Sequence, residues 1–313
     1  MDFTGGLTFT GGMSVTPQPP PSYKAIFGYG NNAVGILSMT NLVSNTGVVG
    51  NDVTGVGTIR SSLAAAIYGG DKAIFGYGAN GALNEYYSLT NLVSNTGVVS
   101  TDTTGVGTAR QGLAAAGYGT DKAIFGYGRA SPYYSVTNLV SNTGVVATDT
   151  TGVGTARVNP AAAGYGSSGQ AIFGYGQISD GTKVSMTNLV TNTGVVGNDV
   201  TGVGTARYYL AAATYGSDKA IFGYGLTTGD VLVSMTNKVS NTGVVATDTT
   251  GVGTARYLLA AAGYGTDTAI FGYGITGTNV SMTNLVSNTG VVATDTAGVG
   301  TARRGLAAAS YGS

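Results

Sequence analysis

The stretch from Arg110 to Gly128, R-Q-G-L-A-A-A-G-Y-G-T-D-K-A-I-F-G-Y-G, decides the fold. Two short apolar runs flank a Gly-Thr-Asp turn, the signal of a hairpin between antiparallel strands. The A-I-F run is apolar at alternating positions on both faces, which predicts a strand buried on both sides. A helical reading of L-A-A-A fails on its length and on the glycines that bracket it. The fold class read here is all-β.

The stretch returns through almost the whole chain. Its I-F-G-Y-G motif begins at Ile26, Ile74, Ile124, Ile172, Ile221 and Ile270, at spacings of 48, 50, 48, 49 and 49 residues. A period of this size signals a solenoid, an array or a propeller, in which each copy is buried by its neighbours. Each copy continues with a segment of the type S-M-T-N-L-V, an Asn-Thr-Gly turn, and V-V-A-T-D. Asn and Gly supply the left-handed backbone that a tight reversal needs. Four short β segments per copy are thus expected. Ala-Ala-Ala suits strands that converge on an axis with little room for side chains.

The phase of the copies adds a topological expectation. The first copy opens at Lys24 with the second segment, and the chain carries a lone first segment at Gly305–Tyr311. Pairing the two gives a six-bladed β-propeller of four-stranded blades, its ring closed by the C-terminal strand pairing with the first blade, without exposed edges. The domain reading is residues 1–23 as an anchoring tail and residues 24–313 as the propeller. The tail holds a duplicated apolar-Gly motif and the run Pro17-Gln18-Pro19-Pro20-Pro21, expected to be an extended spacer. It is read as docking onto a larger assembly.

Composition excludes several classes. Charged residues are only 9% and the net charge is zero, so a nucleic-acid footprint is not expected. No apolar run is long enough for a membrane-spanning helix. The opening Met-Asp-Phe-Thr-Gly-Gly lacks the pattern of a secretory signal. His and Cys are both absent, which removes the usual ligands of zinc, copper and haem and the usual partners of nucleophilic triads. The expectation is no catalytic residue, no metal and no cofactor.

The run T-A-R-x-x-L-A-A-A-x-Y-G-x-D-K-A-I-F-G-Y-G resembles the kelch repeat, and the resemblance extends from Lys24 to Tyr311. It departs in two ways. The kelch glycine doublet is split here by Tyr, as in Gly76-Tyr77-Gly78, and Trp is absent. Val48-Val49 and their counterparts stand where the Trp would fall. The resemblance implies a propeller. It does not bring the chemistry of kelch-like galactose oxidases, whose copper site and Tyr–Cys cofactor need residues that this chain lacks.

Invariant polar residues are read as framework. Each copy has one Asp (Asp52, Asp102, Asp149, Asp199, Asp248, Asp295) and, eight residues later, one Arg (Arg60, Arg110, Arg157, Arg207, Arg256, Arg303). Sixfold repetition with fixed spacing argues against one special site. A turn cap, or an Asp–Arg pair tying successive blades, is expected. The Thr-Asn pairs such as Thr40-Asn41 are read as strand-end hydrogen bonding.

Function is sought where the copies differ. One variable site follows G-Y-G, a second is the pair after the Arg, and a third is the residue before Tyr-Gly, such as Ile67 or Thr214. In an up-and-down blade the first two share one rim, and loops on a rigid scaffold are the usual place to vary recognition. Seven of the eight non-framework tyrosines fall there: Tyr86, Tyr87, Tyr133, Tyr134, Tyr208, Tyr209 and Tyr257. Tyrosine gives large contact area for little entropy. With Gln111, Asn159 and Arg304 these are the candidate ligand-binding residues, for a glycan or a protein surface. The expected function is a non-enzymatic recognition or adhesion module. A viral (phage) tail or capsid decoration protein, on a virion or extracellular surface, fits the tail and the Cys-free composition. The alternative is an intracellular, cytoplasmic kelch-like scaffold. An enzyme would need converging carboxylates, and only Glu85, Asp180 and Asp230 lie in the variable loops.

Overall fold

A computed structural model describes residues 23–82 and 84–312. Among them every regular element is a β-strand. The repeated segments build six antiparallel three-stranded sheets. In the second copy the strands are Ala64–Tyr68, Lys72–Gly76 and Thr90–Val93, with Lys72–Gly76 in the middle. Five sheets use consecutive strands. In the sixth, Lys24–Asn31 pairs with Ile36–Val43 on one side and with Ala307–Tyr311 on the other. The first and last copies therefore share a sheet.

The first strands of the sheets pack against one another in a closed cycle. Ala64–Tyr68 meets Ala114–Tyr118, followed by Ala161–Tyr165, Ala211–Tyr215, Ala260–Tyr264, Ala307–Tyr311, and Ala64–Tyr68 again. Burial alternates along each of them: Ala64, Ala66 and Tyr68 are buried while Ala65 and Ile67 are half-buried. In the middle strands, by contrast, Ala73, Ile74, Phe75 and Gly76 are all buried. This is the two-sided burial that the A-I-F run predicts.

The core is divided among the six interfaces between sheets. One cluster joins Ala66, Tyr68, Ile74 and Tyr77 of one sheet to Leu113, Ala123, Phe125 and Val140 of the next. Tyr77 and Phe125 pack with ring centroids 5.1 Å apart, a favoured aromatic separation. The glycine before Tyr77 is required by this contact. A Cβ on Gly76 would lie 2.7 Å from Phe125 Cζ. Tyr77 itself takes φ 64° and Gly78 φ 99°. Two successive left-handed residues turn the chain sharply off the middle strand, which explains the split glycine pair. A left-handed aromatic residue is strained, and full burial with a hydrogen bond from its hydroxyl to Val106 O at 3.1 Å holds it there.

The fourth segment departs from a regular strand. It touches the third strand through two isolated bridges, Val43↔Val49 and Thr40↔Val53 in the first copy. Four residue steps on one side oppose three on the other, so one extra residue is accommodated as a bulge. The Asn41 side chain fills it, donating through Nδ2 to Gly50 O at 3.0 Å and Asp52 Oδ1 at 2.9 Å. The anchoring role expected of residues 1–23 falls outside the described residues except at Tyr23, which exchanges two backbone hydrogen bonds with Gly265.

Candidate functional site

The invariant Asp and Arg meet across copies. Arg110, fully buried, lies 4.4 Å over the Tyr77 ring of the preceding sheet. Its guanidinium donates to Asn138 Oδ1 at 2.8 Å and to Thr108 O at 2.9 Å. Asp149 Oδ1 stands 3.9 Å from Arg110 Nη1. Asp149 also accepts from the Thr108 backbone N–H and hydroxyl, which grips the segment arriving from the preceding sheet. Arg303 repeats this at the closure: it donates to Asn41 Oδ1 at 2.7 Å and Tyr29 O at 2.9 Å, beside Asp52. Arg60, Arg157, Arg207 and Arg256 likewise stand beside Asp102, Asp199, Asp248 and Asp295. Of these only Arg256 makes the Nε bond to a Tyr carbonyl, and the Nε of Arg60, Arg157 and Arg207 is buried without an acceptor among the described residues. The buried Asn of each Thr-Asn pair, expected in turn or strand-end hydrogen bonding, also links the Asp to the Arg.

These groups have shifted protonation. Burial pushes Asp52 up, but hydrogen bonds from Thr301 and Asn41, with the charge of Arg303, outweigh it and hold the carboxyl below its usual value. Burial pushes Tyr29, Tyr77, Tyr127, Tyr175, Tyr224 and Tyr273 up to about 12, against the pull of the neighbouring Arg. A folded value above the unfolded value of about 10 means stabilisation that is complete below pH about 10 and lost as pH rises through about 12. Stability measured by denaturant titration should therefore fall steeply over that window. Tyrosinate absorbance should show at least six residues ionising together with unfolding. Titration of all tyrosines near 10 in the folded protein would contradict the buried framework.

The first two variable sites lie side by side in every copy. Bridges join Ser61 to Ala79, Gln111 to Arg129, Val158 to Gln177, Tyr257 to Ile275 and Arg304 to Asn31, and Arg207–Tyr208 pairs with Leu226–Thr227. The second residue of each variable pair is left-handed: Ser62, Gly112, Asn159, Tyr209, Leu258 and Gly305 have φ between 53° and 61°. Their backbones form a closed cycle. Gly112 N–H donates to Ser62 O, Asn159 to Gly112, Tyr209 to Asn159, Leu258 to Tyr209, Gly305 to Leu258, and Ser62 to Gly305, at 2.7–3.3 Å. The turns between first and middle strands lie at the other end, where Gly69 N–H bonds to Asp121 O and a Cβ on Gly69 would meet Asn142 O of an Asn-Thr-Gly turn. The third variable site belongs to that other end. Ile67 and Thr214 line clefts there with Tyr23, Thr120 and Ser217.

All seven candidate tyrosines are half-buried, as are Gln111, Asn159 and Arg304. They do not form one patch. Tyr208 and Tyr209 stack at 4.4 Å, and Tyr209 lies 5.9 Å from Tyr257 of the next copy. Tyr208 donates to Asp230 Oδ1 at 3.1 Å, and Lys183 Nζ stands 3.5 Å from Asp230 and 4.9 Å from the Tyr208 ring centroid. Burial raises the Tyr209 phenol, against the opposing influence of Arg129 and Asn159, with Tyr133 also within electrostatic reach. Three consecutive copies thus contribute to one aromatic and charged surface. Tyr87 is separate, bonded to Glu85 at 2.5 Å in its own loop, and Tyr86 pairs with Ala79. Tyr134 N–H donates to Gly128 O. Sequence reasoning missed Lys183 and Arg129. Their signal was position in the same variable loops, hidden by the emphasis on tyrosine.

Among the described residues no three His, Cys, Asp or Glu side chains gather into a group that could hold a metal ion, and no helix is long and apolar enough to cross a membrane. No protein-family model matches the chain, and no curated protein matches it. The geometry defines the class as an all-β repeat protein, with the six sheets in one cycle and its sequence variation concentrated in hydrogen-bonded loops.

Proposed function

We propose that the chain is a six-bladed, kelch-like β-propeller acting as a non-enzymatic recognition module for a glycan or a protein surface. The observation that carries this reading is the surface of Tyr208, Tyr209 and Tyr257 with Lys183 and Asp230, built from the two variable sites that lie side by side. Partly buried tyrosines are already ordered, so contact with a ligand costs them little further entropy. Flat aromatic faces beside charged and amide groups suit sugar rings, whose C–H faces stack while their hydroxyls hydrogen-bond. The non-enzymatic part is supported by the engagement of the three loop carboxylates: Glu85 with Tyr87, Asp180 with Thr182 N–H, and Asp230 with Tyr208 and Lys183.

In this reading the module is virion-associated, as a phage tail or capsid decoration protein attached to its assembly through residues 1–23. The Cys-free, His-free composition and the near identity of the copies support it. A microarray of surface polysaccharides and neutral and acidic glycans, probed with wild type and with Tyr208→Ala/Tyr209→Ala, tests the recognition claim. Wild type should bind a defined set of glycans. The double variant should bind them at least tenfold more weakly with an unchanged circular dichroism spectrum. Undiminished binding by the double variant would contradict the assignment.

A further inference from the structure

The seam where the first and last copies meet carries a second cleft on the variable loops. Its volume is about 450 Å3, within the ~300–1,000 Å3 range of small-molecule sites. One wall is the loop after Lys24–Asn31, and the other is the loop after Thr268–Gly272. Both walls are built by local bonds. Asn32 Oδ1 accepts from the Val34 and Gly35 backbone N–H groups, and Thr276 N–H donates to Thr278 O. Arg304 is fixed by its backbone, which exchanges two hydrogen bonds with Asn31.

One charged group in this cleft lacks a counterpart. Arg304 lines it, and among the described residues no carboxylate lies within ion-pair distance of its guanidinium. No Asp or Glu lines the cleft at all. Asn279 donates through Nδ2 to Asn31 O at 3.4 Å, which ties the two walls together. Beside these groups sit apolar surfaces, Ile275 in the wall and Val34, 95% exposed, at the lip.

We propose that this cleft binds an acidic sugar, with its carboxylate on the Arg304 guanidinium and its ring hydroxyls against the Asn32 and Thr278 walls. Arginine matches a carboxylate bidentately. A uronic acid presents a carboxylate, ring hydroxyls and an apolar C–H face in one small ligand, and the last would rest on Val34 and Ile275. The cleft adjoins the tyrosine surface through the Tyr257–Ile275 backbone bridge but shares none of its tyrosines.

Amide chemical-shift titration of the full chain with methyl glucuronide, and with the uncharged methyl glucoside, tests the proposal. Methyl glucuronide should shift Gly35, Gly277 and Asn279 saturably, and the glucoside should bind at least tenfold more weakly. Arg304→Gln should weaken glucuronide binding at least tenfold, and Arg304→Lys less. Tyr208→Ala should leave it unchanged. Among the described residues no ion-pair partner holds the Arg304 side chain, so its variants should melt like wild type. Equal binding of the two sugars, insensitivity to Arg304→Gln, or no saturable shift at the seam would overturn the proposal. Shifts confined to Tyr209 and Tyr257 would also overturn it while leaving the recognition surface intact.

Discussion

Arg157→Ala should destabilise the protein by about 3–5 kcal/mol, more than the loss of a single hydrogen bond. Arg157 is fully buried, with its guanidinium 4.1 Å over the Tyr127 ring. It donates to Asn188 Oδ1 at 2.6 Å and Thr155 O at 3.2 Å, and stands 3.8 Å from Asp199. Truncation leaves the Asn188 acceptor buried and unsatisfied, removes a cation–π contact, and opens a void that neighbouring rings cannot fill. The loss should appear in denaturant titration as a lower midpoint. Since a domain is stable by only about 5–15 kcal/mol, the variant should be marginal. Binding measured on its folded fraction should be unchanged, because Arg157 belongs to the framework. A loss below about 1 kcal/mol would mean that the Asp–Asn–Arg network is not holding neighbouring sheets together.

Removing residues 303–313 should have a still larger effect. The deletion strips Ala307–Tyr311 from the Lys24–Asn31 strand and withdraws Arg303 from Asn41 and Tyr29. Buried Leu306 and Tyr311 are lost, and Ile26 and Phe27, both fully buried, lose covering atoms. At about 1.5–3 kcal/mol per large buried side chain, the cost is on the order of 5 kcal/mol or more. Most molecules should be unfolded. A synthetic peptide of residues 303–313 should restore the melting temperature in a concentration-dependent way, since binding to the folded state stabilises it by mass action. A deletion variant as stable as the full chain would show that closure contributes little.

The strands were legible because their signals are local. A-I-F, L-A-A-A-x-Y and the turns between them state burial and reversal within a few residues, and six copies repeat the statement. Closure was legible from the phase of the copies. The bulge between Thr40–Val43 and Val49–Val53 was not, because it depends on the Asn41 side chain satisfying the backbone of another segment. Nor did Tyr77 announce its left-handed backbone, an exception that burial against Phe125 and the bond from its hydroxyl to Val106 O sustain.

The candidate site was legible as a set of loops and not as a surface. Sequence variation marked Tyr208, Tyr209 and Tyr257, and the two copies they belong to are neighbours in the ring. It placed Lys183 and Asp230 in variable loops but not together, and their 3.5 Å contact joins loops of two copies. The other candidate tyrosines kept company with their own loops, as Tyr87 does with Glu85. Charges and amides count at a site through spatial partners, and spacing within one copy cannot show partners contributed by the next.

Recognition should reside at the end that carries the paired variable loops, although the third variable site, at Ile67 and Thr214, lies at the other end. Glycan-array binding by two multiple variants separates the two ends. One replaces Tyr208, Tyr209 and Tyr257 with Ser. The other replaces the six exposed valines of the Asn-Thr-Gly-Val turns (Val48, Val98, Val145, Val195, Val244 and Val291, each 62–66% exposed) with Thr. The account predicts that the tyrosine variant loses the glycans bound by wild type while the valine variant retains them, both remaining folded. Binding that survives in the tyrosine variant and disappears in the valine variant would contradict it.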